Sequence, residues 1–178
     1  MKRRWRRPSW RRSPTRGRSG TSRRAHPEWF VADAGLRVVV LVSGDPGIYG
    51  LLGTIRRLLP GTPVRVVPGI SAVQLAFARL GLPWEDARIV SVHGRGPEEE
   101  QAREVAGHAK VAVLTDPRHS PAAVAAYLAA RGLGYRHAFV LNNLSLKHER
   151  VWQGRLEELA ACRETFDNAV LVILDGSA

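Results

Sequence analysis

The chain has 178 residues, 44% of them apolar, with a net charge of +11 and a single cysteine. That length and apolar content suffice for one domain, or two small ones, with a real hydrophobic core. Cys162 alone excludes a disulfide framework and a cysteine-cluster metal site, and no apolar run approaches the roughly 18 residues needed to cross a membrane, so a soluble protein of the reducing cytoplasm is expected.

The charge is local. Residues 1–27 hold 11 of the 27 basic residues and no acid, so the 16 remaining basic residues balance the 16 acidic ones. Rich in Arg, Ser, Pro and Gly and poor in aliphatics, residues 1–34 cannot bury enough apolar surface to offset their chain entropy and are predicted to lack order. Twin arginines occur there, but no apolar h-region follows them, so an export signal is not expected. Three readings of this segment stay open. It is a basic arm on phosphate backbones with Trp5 and Trp10 stacking on bases, a solvated tail, or sequence foreign to the ancestral reading frame. The abrupt compositional break favours the last, and nucleic acid is not the expected partner.

From Leu36 onward the pattern alternates. Arg37 to Val42 is a β-branched run of the kind found in buried parallel strands. Ser43-Gly44-Asp45-Pro46-Gly47-Ile48-Tyr49-Gly50 follows, then a helix over Tyr49 to Leu59 with apolar Leu51, Leu52, Ile55, Leu58 and Leu59. Pro60 to Pro63 ends it. Val64 to Val67 is the next predicted strand, Pro68-Gly69-Ile70-Ser71 the next loop, and Ser71 to Leu80 the next helix. Arg88 to Val92 is a third strand, ending at His93-Gly94-Arg95-Gly96-Pro97.

That Gly/Pro cluster marks a domain boundary, followed by a helix over Glu98 to Ala106 whose first-turn acids suit its dipole. Further predicted elements are strands Val111 to Leu114, Ala138 to Leu141 and Ala169 to Leu174, an alanine-rich helix Pro121 to Arg131, and a short helix Leu156 to Ala161. Two α/β lobes are therefore expected, 35–95 and 96–178. The first would be built on a parallel sheet and the second on a mixed one.

Each of the two loops follows a predicted strand and precedes a helix, the place where open α/β sheets bind small ligands. The loop 43–50 is neither a Gly-x-Gly-x-x-Gly fingerprint nor a P-loop, since it lacks the lysine. Gly44 and Gly47 let backbone come close, and Asp45 offers a carboxylate to an ammonium or near a sulfonium. An ordinary Asp-Pro-Gly turn is the competing reading, and Ser71 serves equally well as an N-cap. His93 and Arg95 stand at the junction, where an Arg fork suits a carboxylate-bearing substrate; a solvated hinge is the alternative. The other histidines show no metal-ligand spacing, so no metal is expected. No nucleophile elbow or paired-carboxylate set stands out, and no general base is assigned.

Ser-Gly-Asp-Pro-Gly-x-Tyr-Gly at 43–50 followed by Val-Pro-Gly-Ile-Ser at 67–71 resembles the tetrapyrrole (corrin/porphyrin) methylases, and within them the C-5 methylases of the corrin pathway. Supporting stretches are Gln74 to Trp84, Val90 to Arg95, Leu114-Thr115-Asp116-Pro117 with Ser120-Pro121, Asn143-Leu144-Ser145, and Gly154 to Leu159. The resemblance runs from about residue 37 to the end.

The resemblance implies a two-lobed methyltransferase, a homodimer, binding S-adenosylmethionine between its lobes and methylating C-5 of cobalt-precorrin-7 or a precorrin-6Y type intermediate. By matched position it places Gly44, Asp45 and Ile48 on the methionine and ribose side, with Ser71 and Ala72 next. Leu114, Asn143 and Leu144 would approach the adenine, and His93 and Arg95 would face the macrocycle. Two departures stand out. The family's opening strand and Gly-x-Gly-Pro-Gly loop have no counterpart in residues 1–36, and Gly154-Arg155-Leu156 replaces a Gly-Thr-Leu. Competing readings are another methylase of this fold, including one acting on a protein or ribosomal RNA, and a non-catalytic remnant using the basic arm.

Overall fold

A computed structural model describes residues 38–176. The basic segment 1–34 and the first residue of the run at 37 lie outside the described residues. In chain order the elements are α1 (Leu51–Leu58), α2 (Ala72–Leu80), β1 (Arg88–Ser91), α3 (Glu99–Gly107), β2 (Lys110–Leu114), α4 (Pro121–Leu128), β3 (His137–Asn142), β4 (Arg150–Arg155), α5 (Leu156–Ala161) and β5 (Ala169–Leu174).

The strands form one mixed sheet in the order β1-β2-β5-β3-β4. Only β1 and β2 run parallel, pairing Arg88 with Val111 through Ser91 with Leu114; the other neighbours are antiparallel. At its centre β5, Ala-Val-Leu-Val-Ile-Leu, is buried throughout. Successive side chains of a strand point to opposite faces, and β5 divides its residues accordingly. Ala169, Leu171 and Ile173 join Val105 of α3, Val124 and Leu128 of α4, and Leu156 and Leu159 of α5. Val170, Val172 and Leu174 join Val73, Ala76 and Phe77 of α2 on the other face. Each fully buried Val, Leu or Ile side chain contributes about 2 kcal/mol, so the two-sided strand is the spine of the fold.

Local signals set the helix ends. Ser71 accepts the Gln74 N–H at 3.1 Å while Gln74 Oε1 accepts the Ser71 N–H at 2.8 Å, a reciprocal capping box. Gly81 closes α2 in the left-handed conformation at φ +66°. Ser120 caps α4, with Pro121 at an allowed first-turn position. A buried arginine, Arg136, donates to the carbonyls of Val105, His108 and Ala109 and so closes the C-terminal end of α3 with a cation. Desolvation pushes its pKa down, which the charge of Asp175 partly opposes.

The α/β class and the mixed sheet are as the sequence predicts; four local expectations are corrected. Residues 38–42 and 64–67 are not strands. No described neighbour accepts their backbone groups, and Val39, Leu41 and Val67 are 81%, 90% and 72% exposed. A β-branched run becomes a strand only where a partner edge receives it. Strand β1, assigned to the first lobe, pairs instead with β2 across the boundary expected at 95. The helix expected to reach Arg131 ends at Leu128 in a wide turn, Ala129–Leu133, with Gly132 at φ +81°. The edge strand β4 was not predicted, because one half-wet face leaves its sequence without an apolar alternation.

Candidate functional site

The C-terminal ends of the parallel pair β1 and β2 open into a cleft of about 290 Å³. It is lined by Ser91 and His93 after β1, Leu114 and Thr115 at the end of β2, Asn168 to Val170 at the start of β5, Ala72 at the start of α2, and Tyr49. Parallel strands bring unpaired backbone groups and loop side chains to this edge together, which is why ligands settle there.

The loop Ser43 to Gly50 is a built turn. Asp45 Oδ1 accepts the Gly47 N–H at 2.7 Å, and Pro46 O accepts the Leu52 N–H at 3.2 Å at the entry to α1. Tyr49 is held at φ +47°, a left-handed conformation costly for an aromatic residue. Its hydroxyl donates to the Ile89 carbonyl of β1 at 3.0 Å. The ring thereby stands between the cleft and a second, more open hollow of about 540 Å³ lined by Gly47, Ile48, Ala87, Arg88 and Ile89.

The two glycine loops touch. A Cβ on Gly69 would lie 2.5 Å from the Gly44 carbonyl oxygen, and one on Gly44, itself at φ +70°, would lie 3.5 Å from Ile70 O. Only a residue without a side chain permits this approach at position 69.

On the far side, Thr115 donates its hydroxyl to Ala169 O at 2.8 Å. Asn168 and Asn143, both left-handed at φ +46° and +54°, are joined by their side-chain amides at 3.2 Å. The following loop is tethered to α2: Glu149 accepts from the Ser145 N–H at 2.6 Å and from Arg79 Nε and Nη2 at 2.5 and 3.2 Å. The Arg79 guanidinium and the Ser145 N–H hold the Glu149 carboxyl below the usual range.

A second cross-link joins the turns after β1 and β2. Asp116 Oδ2 accepts the Gly94 N–H at 2.5 Å, and Oδ1 accepts the N–H groups of Arg118 and His119 at 2.8 Å each. The His119 ring Nδ1 stands 3.1 Å from both oxygens. Burial opposes the charge of this carboxylate, but the Gly94, His119 and Arg118 donors outweigh it, so its pKa lies far below the ordinary carboxylate value.

Of the residues singled out from sequence, Ala72, His93 and Leu114 line the cleft. Gly44 and Asp45 lie on the adjoining loop, and Ile48 faces the larger hollow. Asn143 reaches the lining through Asn168, whereas Leu144 packs into the core on the α2 side. The Ser71 hydroxyl is buried and spent on its helix cap. Arg95 is exposed on the turn and outside the lining. Sequence reasoning assigned no role to Tyr49, Asp116 or Asn168. Asp116 was legible as the acid of a Thr-Asp-Pro turn; nothing local marks Asn168. Among the described residues no cluster of three or more His, Cys, Asp or Glu could hold a metal ion, and no helix is long and apolar enough to cross a membrane.

The family model of the tetrapyrrole (corrin/porphyrin) methylases matches residues 11–160, and the chain belongs to that family. The match begins upstream of residue 37, where the resemblance carried by the motifs begins, and so extends into the segment expected to have no counterpart in the family. The cobalt-precorrin-7 C(5)-methyltransferase of Salmonella typhimurium is 37% identical over 148 residues, 83% of this chain and 70% of that enzyme. The decarboxylating precorrin-6Y C(5,15)-methyltransferase of a Sinorhizobium species is 38% identical over 122 residues, 68% of this chain and 29% of its own length. Among solved structures, a precorrin-6Y methylase of cobalamin biosynthesis from Archaeoglobus fulgidus shares the fold with a TM-score of 0.53 at 21% identity, covering 76% of this chain and 60% of that one. A uroporphyrin-III C-methyl transferase from Thermus thermophilus, complexed with S-adenyl homocysteine, matches with a TM-score of 0.58 at 25% identity over 74% and 63% of the two chains.

Proposed function

We propose that the protein is an S-adenosylmethionine-dependent C-methyltransferase of cobalamin biosynthesis, methylating C-5 of cobalt-precorrin-7 or of a precorrin-6Y type intermediate. The observation that carries the reading is the contact of Gly69 with Gly44, which joins the Asp45 loop to the start of α2 beside the cleft. The relation to the Salmonella enzyme supplies the substrate.

The residues present suit the cofactor. Asp45 spends Oδ1 on its own turn and leaves Oδ2 to accept from a ligand ammonium or hydroxyl. The left-handed Gly44 presents bare backbone, and Ala72, Leu114 and Val170 give the cleft apolar walls. S-adenosylmethionine, when bound, supplies a methyl group on a positively charged sulfur. What the chain contributes is placement. Holding donor and acceptor in line removes much of the entropic barrier of a bimolecular step, and no side chain is asked to form a bond. Arg95 offers a guanidinium, and His93 a hydrogen-bonding ring, to a carboxylate-bearing macrocycle.

The reading includes a cytoplasmic homodimer. The apolar side chains of Val39, Leu41, Val67 and Ile70 stand exposed and offer a second copy an apolar surface to cover. Sedimentation at micromolar concentration gives twice the chain mass if this holds and the single-chain mass if it does not. For the activity, titration calorimetry with S-adenosylhomocysteine gives one site per chain, and radiolabelled methyl appears in the corrin. A folded sample that gives neither heat nor label overturns the reading.

A further inference from the structure

We propose that Asp116 is a positioning residue for the cleft: its carboxylate clips the turn after β1 to the turn after β2 and so sets where the His93 ring stands. The proposal rests on reading the cleft as the place where substrate meets this chain.

The Asp116 side chain is 7% exposed. Burying a carboxylate is costly unless donors replace its water, and here they do. Three donors come from its own turn, namely the Arg118 N–H, the His119 N–H and the His119 ring. The fourth, the Gly94 N–H, comes from 22 residues earlier in the chain. With its oxygens engaged in this way the carboxylate is not free to bind ligand or carry a proton. It is a fastener between the ends of two neighbouring strands.

The fastened turn is shaped for the purpose. Gly94 and Gly96 sit at φ +78° and +83°, where L side chains are strained. A Cβ on Gly96 would lie 3.0 Å from Cδ2 and Nε2 of His119, so the turn lies flat on the imidazole that Asp116 orients. His93 stands between two fixed backbone points. Its own N–H donates to Ser91 Oγ at 3.3 Å, and the next N–H belongs to Asp116. Its ring is exposed and lines the cleft. Without the Gly94 bond the turn keeps its internal bonds from the Arg95 and Gly96 N–H groups to the Val92 carbonyl but loses its tie to the turn after β2, and a misplacement of about 1 Å at a reacting site costs on the order of a hundredfold in rate.

The test is Asp116→Asn, in which an amide NH₂ replaces one acceptor oxygen and faces a backbone donor. In the full chain at unchanged fold, the His93 imidazole resonances shift in two-dimensional NMR. The KM for the corrin rises about tenfold or more, while the dissociation constant of S-adenosylhomocysteine stays within threefold. In a His93→Ala background the same substitution lowers kcat/KM by less than threefold, because its effect passes through His93.

Unmoved His93 resonances, or losses that multiply in the double variant, overturn the proposal. If Asp116→Asn does not fold, Gly96→Ala decides, since it keeps the carboxylate but forces the turn off His119; the same His93 shifts are expected and their absence overturns the proposal. Should His93 move while His93→Ala leaves the corrin KM unchanged, the clip stands as a structural device and the assignment of substrate to this cleft falls.

Discussion

The carbonyl oxygen of Gly44 occupies the space that a side chain on Gly69 would need, 2.5 Å from the position of its Cβ. Cβ to oxygen distances below about 3 Å are not tolerated, and the obstacle here is backbone, so Gly69→Ala forces the two loops apart. The expected result is a loss of S-adenosylhomocysteine affinity of tenfold or more with the cooperative core transition intact. Calorimetry beside a thermal melt checks it, and unchanged affinity would detach the two loops from any shared ligand.

Asp45 combines a turn-forming and a ligand-facing oxygen, and two substitutions separate them. Asp45→Asn keeps an acceptor for the Gly47 N–H but removes the charge. Hydrogen bonds to charged groups contribute about 1.5–3 kcal/mol, so its cofactor affinity falls roughly tenfold to a hundredfold. Asp45→Ala loses the turn as well and falls further. Equal affinity of Asp45→Asn and the native protein would remove the carboxylate from the cofactor's partners.

Ser71 distinguishes a cap from a ligand. Its hydroxyl holds the Gln74 N–H, so Ser71→Ala costs about 1 kcal/mol of stability and changes S-adenosylhomocysteine affinity less than threefold. Urea denaturation and calorimetry on one preparation read both. A large affinity loss at unchanged stability would make Ser71 a direct contact after all.

Asp116 sets an acid limit to stability. Its folded pKa lies far below the ordinary carboxylate value of about 3.9. Such a group contributes stability above its unfolded pKa and loses it as pH falls toward the folded one. The native protein therefore weakens as pH drops below about 4, and Asp116→Asn, already less stable at neutral pH, shows a shallower decline. Parallel acid limbs for the two proteins, followed by intrinsic fluorescence in urea, would contradict this.

The residues differ in how far sequence alone disclosed them. Ser71, Gly81 and Pro121 mark helix ends through local chemistry, which tertiary context does not alter. Strand β5 and the run 38–42 read alike, yet one is buried on both faces and the other exposed. A run of β-branched residues states what a strand would gain from burial and says nothing of whether a partner edge is present. Strand β4 was hidden for the opposite reason: its register with β3 supplies the order that Arg-Val-Trp-Gln-Gly-Arg lacks. The loops at 43–50 and 67–71 were legible as motifs, but their glycine contact was not, because closeness between segments about 20 residues apart is a property of packing. Asn168 joined the site only through the topology that starts β5 beside the end of β2.

Strand β5 also gives the molecule a parity. Odd-numbered positions from 169 to 173 answer to α3, α4 and α5, and even-numbered positions from 170 to 174 answer to α2. Leu171→Ala, expected to cost 2–5 kcal/mol in denaturant unfolding, strikes the layer packed on α3, α4 and α5 and leaves activity per folded molecule unchanged. Val170→Ala loosens the bed beneath the helix whose first turn borders the cleft. Neighbouring letters of one short ribbon thus report on separate halves of the protein, and an alternating scan along it would sort damage to the scaffold from damage to the workplace.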